Sequence, residues 1–221
     1  MSELVLDKQF FASSLARMAE LTEENRDYWT KLDSDIGDGD HGINLSIGFR
    51  AVNANLQDNL EKSPDVTTLL KKSGMLLLSK VGGASGPLYG SFFIKMGKDD
   101  AEKVEISFPE FVGMLRNGVE AVQQRGKAEI GDKTMIDALQ PGIDYLVKHK
   151  NDADPVTVME KTVAIMKQGA ESTIPLIAKK GRAMRLGERA VGHKDPGSES
   201  SWMLINVFLE EIKKQVNGRE V

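Results

Sequence analysis

The stretch SFPEFVGMLRNGVEAV, residues 107–122, places Phe108, Phe111, Val112, Leu115, Val119 and Val122 on one helical face. Ser107, with Glu110 three positions on, reads as a capping box that starts this helix. The same period recurs outward from it. Ile205, Phe208, Leu209, Ile212 and Val216 repeat it near the C-terminus, with Trp202 one turn earlier. Val156, Met159, Val163, Met166 and Ala170 form a third stripe. A methionine-bearing stripe at this spacing belongs to a core rather than to a cofactor box. Strand-like alternation is nearly absent, so the expected fold class is all-α.

Punctuation residues divide the pattern. Asp154-Pro155 reads as an N-cap followed by proline at the first helical position, and Gly126, Gly181 and the Gly82-Gly83 pair stand where helices should stop. Eight helices are expected, over 3–30, 42–58, 65–81, 86–97, 108–126, 133–149, 155–180 and 198–217. Pro141 and Pro175 fall inside two of them and are expected to bend or interrupt them. No repeat, low-complexity tract or linker divides the 221 residues, so residues 1–221 read as one domain, long enough to bury a core unaided.

Composition closes off several classes. With 40% hydrophobic and 28% charged residues the chain is neither disordered nor membrane-spanning in character. No apolar run approaches the roughly 20 residues that cross a bilayer, and the N-terminus lacks a signal-peptide core. A net charge of −4 argues against general nucleic-acid binding. The absence of cysteine excludes thiolate chemistry and disulfides. A soluble cytoplasmic domain is the expectation.

The connections are unequal. Residues 59–64, 98–106 and 150–154 are ordinary polar punctuation, whereas those after the first, third, fifth and seventh helices are not. They read KLDSDIGDGDHG (31–42), VGGASG (81–86), RGKAEIGDK (125–133) and KGRAMRLGERAVGHKDPG (180–197). If antiparallel helices run up and down, alternate connections gather at one end, so all four would rim one mouth.

Asp33, Asp35, Asp38 and Asp40 crowd the first of these loops. Their repulsion is relieved by a hard cation held through oxygen ligands, Mg²⁺ or Ca²⁺; a solvated acidic turn is the alternative. Gly37, Gly39 and Gly42 match G-x-G-x-x-G in letters, but no strand precedes them and aspartates fill the gaps, which excludes a dinucleotide cradle. An EF-hand starting at Asp33 or Asp38 would need glutamate where Asn44 or Phe49 stands, and no Walker A lysine follows a glycine at the right distance. The second loop, Gly82-Gly83-Ala84-Ser85-Gly86 before Pro87, reads as a glycine-rich helix start suited to an anion. Around the fourth, the span from Lys179 to Lys194 carries Lys179, Lys180, Arg182, Arg185, Arg189 and Lys194 against the single acid Glu188, with few aromatics, which fits arginine facing phosphate. A metal loop, an amide turn and an arginine loop at one end indicate a Mg–nucleotide site and phosphoryl transfer. His41 and His193 lie in these loops and His149 does not; a loop histidine of this kind orients neighbours, and none is assigned as a nucleophile.

The segments GDGDHGINL (37–45) with Asp33 upstream, SKVGGASGPLYGSFF (79–93), RGKAEIGDKTMID (125–137) and GERAVGHKDPGSES (187–200) resemble the signatures of the dihydroxyacetone kinase L family. The resemblance runs nearly end to end. It is closest to the family's free-standing ADP-binding subunits, which serve phosphotransferase-system-dependent kinases. It implies a barrel of eight antiparallel up-and-down helices with the nucleotide at one end. It also implies that Asp33, Asp38 and Asp40 hold two Mg²⁺ that bridge the diphosphate, while Asp35 is not a ligand. Nucleotide contacts are implied at His41, Gly42, Ile43, Asn44, Ala84, Ser85, Gly126, Met135, Arg182, Asp195, Pro196 and Gly197, although Ile43 and Gly39 sit at variable positions.

The implied mechanism is a relay. ADP stays bound as a coenzyme, accepts a phosphoryl group from a phosphohistidine on an M subunit, and passes it to dihydroxyacetone held by a K subunit. No residue of this chain is implied as catalytic beyond the support given by the metal acids. Three alternatives stay open at this point: an L chain using exchangeable ATP, a non-catalytic nucleotide-binding regulator, and a Mg-dependent phosphohydrolase. The 180–197 loop is expected to act as a lid over the nucleotide.

Overall fold

A computed structural model describes residues 4–99 and 102–218. Among these, ten α-helices, one 3-10 segment and two three-residue strands follow one another. The elements are β1 (Val5–Asp7), α1 (Lys8–Glu24), α2 (Arg26–Ile36), α3 (His41–Ala54), α4 (Leu56–Lys62), α5 (Val66–Lys80) and α6 (Ser85–Met96). They continue with β2 (Glu105–Ser107), α7 (Phe108–Gly126), α8 (Met135–His149), α9 (Pro155–Ser172), the 3-10 segment Ala183–Ala190 and α10 (Pro196–Asn217). The all-α bundle is as expected; the count of eight helices is not.

Each departure has a local cause. The first two expected helices each break once, at Asn25 and Asn55. There the amide side chain donates back to the carbonyl four residues earlier, Leu21 at 3.0 Å and Ala51 at 2.8 Å, and competes with helix continuation. Residue 3, the expected start of the first helix, lies outside the described residues. The helix expected over 155–180 ends at Ser172. Thr173 caps it, and Pro175, which has no N–H to donate, lies beyond its end instead of inside it.

Pro141 does stand inside α8, yet the helix runs through it uninterrupted. Proline removes the donor for the carbonyl of Asp137, and Gly169 of α9 packs against that same oxygen, which a Cβ there would approach to 2.2 Å. The two strands went unforeseen because three residues are too few for alternation to register. They pair antiparallel with Leu6 opposite Ile106, both fully buried.

Neighbours in sequence pack on one another from α2 and α3 through α5 to α10, and α10 returns against α1. Phe10, Phe11, Phe111 and Phe208 meet in the core, with Phe111 and Phe208 edge-to-face at 5.3 Å. Met159 and Met166 are fully buried, as the stripe reading required. Where α5 crosses α6, Gly74 and Gly90 bring the backbones so close that a Cβ at either would stand within 2.9 Å of the other's carbonyl oxygen. That crossing sets the entry of α6, and with it the turn that precedes it.

Candidate functional site

The four unusual connections do meet at one end. They enclose a cavity of about 260 Å³ with acids at one side, a basic segment across from them and an apolar wall behind. The acids come from the α2–α3 junction. Asp33 sits on the last turn of α2, and its Oδ2 accepts the N–H groups of Asp40 (2.8 Å) and His41 (3.2 Å) at the start of α3. An anion is well placed against a helix N-terminus. Gly37 is required between them, since a Cβ there would lie 2.1 Å from Asp33 Oδ1.

Oxygens of Asp33, Asp38 and Asp40 converge to within 4.8 Å of one another. Arg182 reaches in from the basic segment to pair with Asp38 at 2.5 Å. Burial, reinforced by Asp38, raises the Asp40 carboxyl above its ordinary range. Three converging carboxylates, one of them paired with an arginine, are a donor set that fits a hard divalent cation. Asp35 stands apart: it pairs with Lys31 and faces His193 Nδ1 at 3.8 Å. The Lys31 ammonium holds its carboxyl below the usual range.

His41 is buried between three helices. Its Nδ1 lies 3.1 Å from Ser85 Oγ on α6 and its Nε2 2.8 Å from Ser200 Oγ on α10, where Tyr89 OH also meets Ser200 at 2.8 Å. Burial drives its pKa down to about 4, so the ring is neutral and orients Ser85 at the cavity wall. Asp195 caps α10 by accepting the Ser198 N–H at 2.6 Å. Burial, with Asp137 adding repulsion, pushes its carboxyl up to about 7.

Of the residues singled out from sequence, Asp33, Asp38, Asp40, His41, Ala84, Ser85, Gly126, Met135, Arg182, Asp195, Pro196 and Gly197 all line this cavity. Gly42, Ile43 and Asn44 do not. Gly42 packs on α2, where a Cβ would meet the Arg26 carbonyl at 2.0 Å. Ile43 points to solvent at 45% exposure, and Asn44 hydrogen-bonds the Asp40 carboxylate from the next turn of α3.

Sequence reasoning missed the apolar wall of Leu88, Val122, Ala128 and Ile136, and it missed Lys133. The wall residues carried only a core signal. Lys133 carried none, because nothing in GDK announces a lysine that is 1% exposed. Burial lowers its pKa.

The fold and the loops define an all-helical domain with a polar cavity at one end, and the chain belongs to the DAK2 domain family, whose model matches residues 35–210. It is 64% identical to the ADP-binding subunit of PEP-dependent dihydroxyacetone kinase 2 from Listeria innocua, over 98% of this chain and 100% of that one. The ADP-binding subunit of the PEP-dependent dihydroxyacetone kinase of Escherichia coli is 41% identical over 90% of this chain and 95% of its own. Among solved structures, the dihydroxyacetone kinase of C. freundii in complex with AMP-PNP and Mg²⁺ superposes with a TM-score of 0.68 at 25% identity. That match covers 90% of this chain and 33% of that one, so this chain spans about a third of that longer protein.

Proposed function

We propose that this chain is the ADP-binding L subunit of a phosphotransferase-system-dependent dihydroxyacetone kinase, a phosphoenolpyruvate–glycerone phosphotransferase acting in the cytoplasm. The observation that carries the reading is the single cavity in which an acidic cluster, a glycine-rich helix start, an arginine and an apolar wall face one another. Relatives that match this chain along almost their whole length and bear that role support it. The ring of neighbours from α2 round to α10 and back to α1 supports the barrel arrangement. No helix among the described residues is long and apolar enough to cross a membrane.

In this reading the apolar wall of Leu88, Val122 and Met135 receives the base, and Ala84 and Ser85 at the start of α6 receive the phosphates. Asp33, Asp38 and Asp40 would hold the two Mg²⁺, and Arg182, now paired with Asp38, would be available to phosphate oxygen. The nucleotide with its metal ions, when bound, would supply the acceptor for a phosphoryl group from the phosphohistidine of an M subunit and then its donor to dihydroxyacetone held by a K subunit. The chain's own part is to position and to neutralise. Lys133 and Asp195 line the same cavity, and His41 fixes Ser85.

Retained nucleotide tests the proposal. The protein is gel-filtered in Mg²⁺ buffer without nucleotide, denatured, and its released ligands separated by ion exchange. Near-stoichiometric ADP is expected, which corresponds to nanomolar binding, about −12 kcal/mol. An empty protein that binds ATP only on addition would point instead to the ATP-exchanging form.

A further inference from the structure

The basic segment is held by its stem, and one side chain gathers that stem. Lys133 precedes the cap of α8 with φ of 63°, a left-handed conformation uncommon for a residue with a side chain. This conformation turns the side chain inward. Its ammonium donates to the carbonyls of Thr173 (2.7 Å) and Ile174 (3.4 Å) at the start of the segment and of His193 (2.5 Å) at its end. An ammonium has three donors, and three main-chain oxygens take them. Lys133 lines the cavity, yet it has no proton left to offer a ligand, and burial of a cation is tolerated only with such partners.

Around it the two ends of the segment are tied to each other, Gly192 N–H to the Ile174 carbonyl at 2.8 Å and Asp195 N–H to Thr173 Oγ1 at 3.0 Å. Between these ties the chain carries Arg182 to Asp38. A backbone held in a sparsely populated region at a cavity wall is an observation from which function can be inferred.

We propose that Lys133 is the positioning residue of the basic segment. Its ammonium locks both ends of the stem together, and thereby holds Arg182 over the acidic cluster and slows the escape of a bound nucleotide. The nucleotide part rests on the function proposed above; the locking of the stem does not.

Lys133→Met keeps the length of the side chain and removes the donors. Leu146→Ala, a fully buried site elsewhere on α8, serves as an equally disruptive control. The first readout needs no nucleotide: trypsin cleavage at Lys179, Lys180, Arg182, Arg185 and Arg189 in the ligand-free protein. Lys133→Met should be cut there at least about tenfold faster than wild type, with the control within about twofold. Equal rates in Lys133→Met and wild type, or equal acceleration in the control, overturn the proposal. Where Lys133→Met does not fold, Lys133→Gln, which keeps one amide donor group, should fall between wild type and full release; wild-type cleavage overturns the proposal equally.

The second readout is release of labelled ADP, which should accelerate about tenfold in Lys133→Met and stay within about twofold of wild type in Leu146→Ala. An unchanged release rate in Lys133→Met, or equal acceleration in the control, overturns the positioning role. A wild-type protein that holds no ADP would sink the functional reading, and cleavage alone would then decide the stem.

Discussion

At the far end of the bundle, Asp7, Asp65 and Asp154 accept the N–H groups of Phe10, Thr68 and Thr157. Glu110 closes the start of α7 by accepting from Ser107. At the mouth, Thr134 and Asp195 cap α8 and α10 locally, but α3 and α6 begin at Asp40 and Ala84 without a cap from those residues' own side chains. The polar groups there are satisfied across long stretches of chain instead: His41 with Ser85 and Ser200, Lys133 with Thr173 and His193. One end closes its helices within a turn and serves stability. The other leaves two of its helix starts without a local cap at the cavity and holds its charges against burial and repulsion, the compromise expected where a site must receive charge rather than hide it.

The largest effect that could break this contrast is at Asp40. Asp40→Asn removes one of three converging carboxylates, and phosphoryl transfer to dihydroxyacetone should fall at least about a hundredfold. Its thermal midpoint should hold or rise. Burial and the neighbouring Asp38 raise this carboxyl in the fold, so the ionised form works against folding, and no cap bond is lost. A variant that loses stability and activity together would show that the acids are structural and erase the distinction between the ends.

Much of this architecture was legible in the residues themselves. The stripes at Phe108–Val122 and around Met159 marked the core, and the alternation of plain and unusual connections gathered the mouth at one end. The acidic loop was legible because four like charges packed so closely call for a cation, whereas the choice of Asp33, Asp38 and Asp40, the three that converge, came from the family resemblance alone. What stayed hidden depends on contacts between distant segments, or on competition within a single turn. Asn25 and Asn55 break helices through their own amides, which propensity alone scores as minor. Pro175 lies beyond α9 rather than inside it, because the helix already stops at Ser172 with Thr173 as its cap. Lys133 looks like a surface cation until three carbonyls from two remote segments close around it.

A smaller effect should separate the two ends by pH. Asp195 has its carboxyl pushed from the ordinary 3.8 up to about 7, chiefly by burial. A folded pKa raised above the unfolded one means that stability is fullest below about 3.8 and declines as pH rises through about 7. Asp195→Asn keeps an N-cap acceptor for Ser198 and has no charge to bury. Denaturant midpoints should therefore show the variant gaining on wild type between pH 4 and pH 8, and nucleotide retention should fall. A constant difference across that range would mean that the carboxyl titrates as an exposed one.

The smallest effect belongs to the far end and should touch stability alone. Ser107→Ala opens the capping box and should cost about 1 kcal/mol in chemical denaturation at neutral pH. Its partner Glu110 is held from 4.5 down to about 2 by Lys103 first and by Ser107 second. A depressed carboxylate contributes stability that is present above its unfolded value and lost as pH falls toward the folded one, here from about 4.5 to about 2. Wild-type stability should decline through that acid window more steeply than that of Glu110→Gln. In both variants phosphoryl transfer at neutral pH should stay within about twofold of wild type, because no group of this cap lines the cavity. A larger loss of transfer from so remote a cap would mean that the two ends are coupled through α7, whose last turn carries Gly126 to the mouth, and the division of labour drawn from the helix starts would fail.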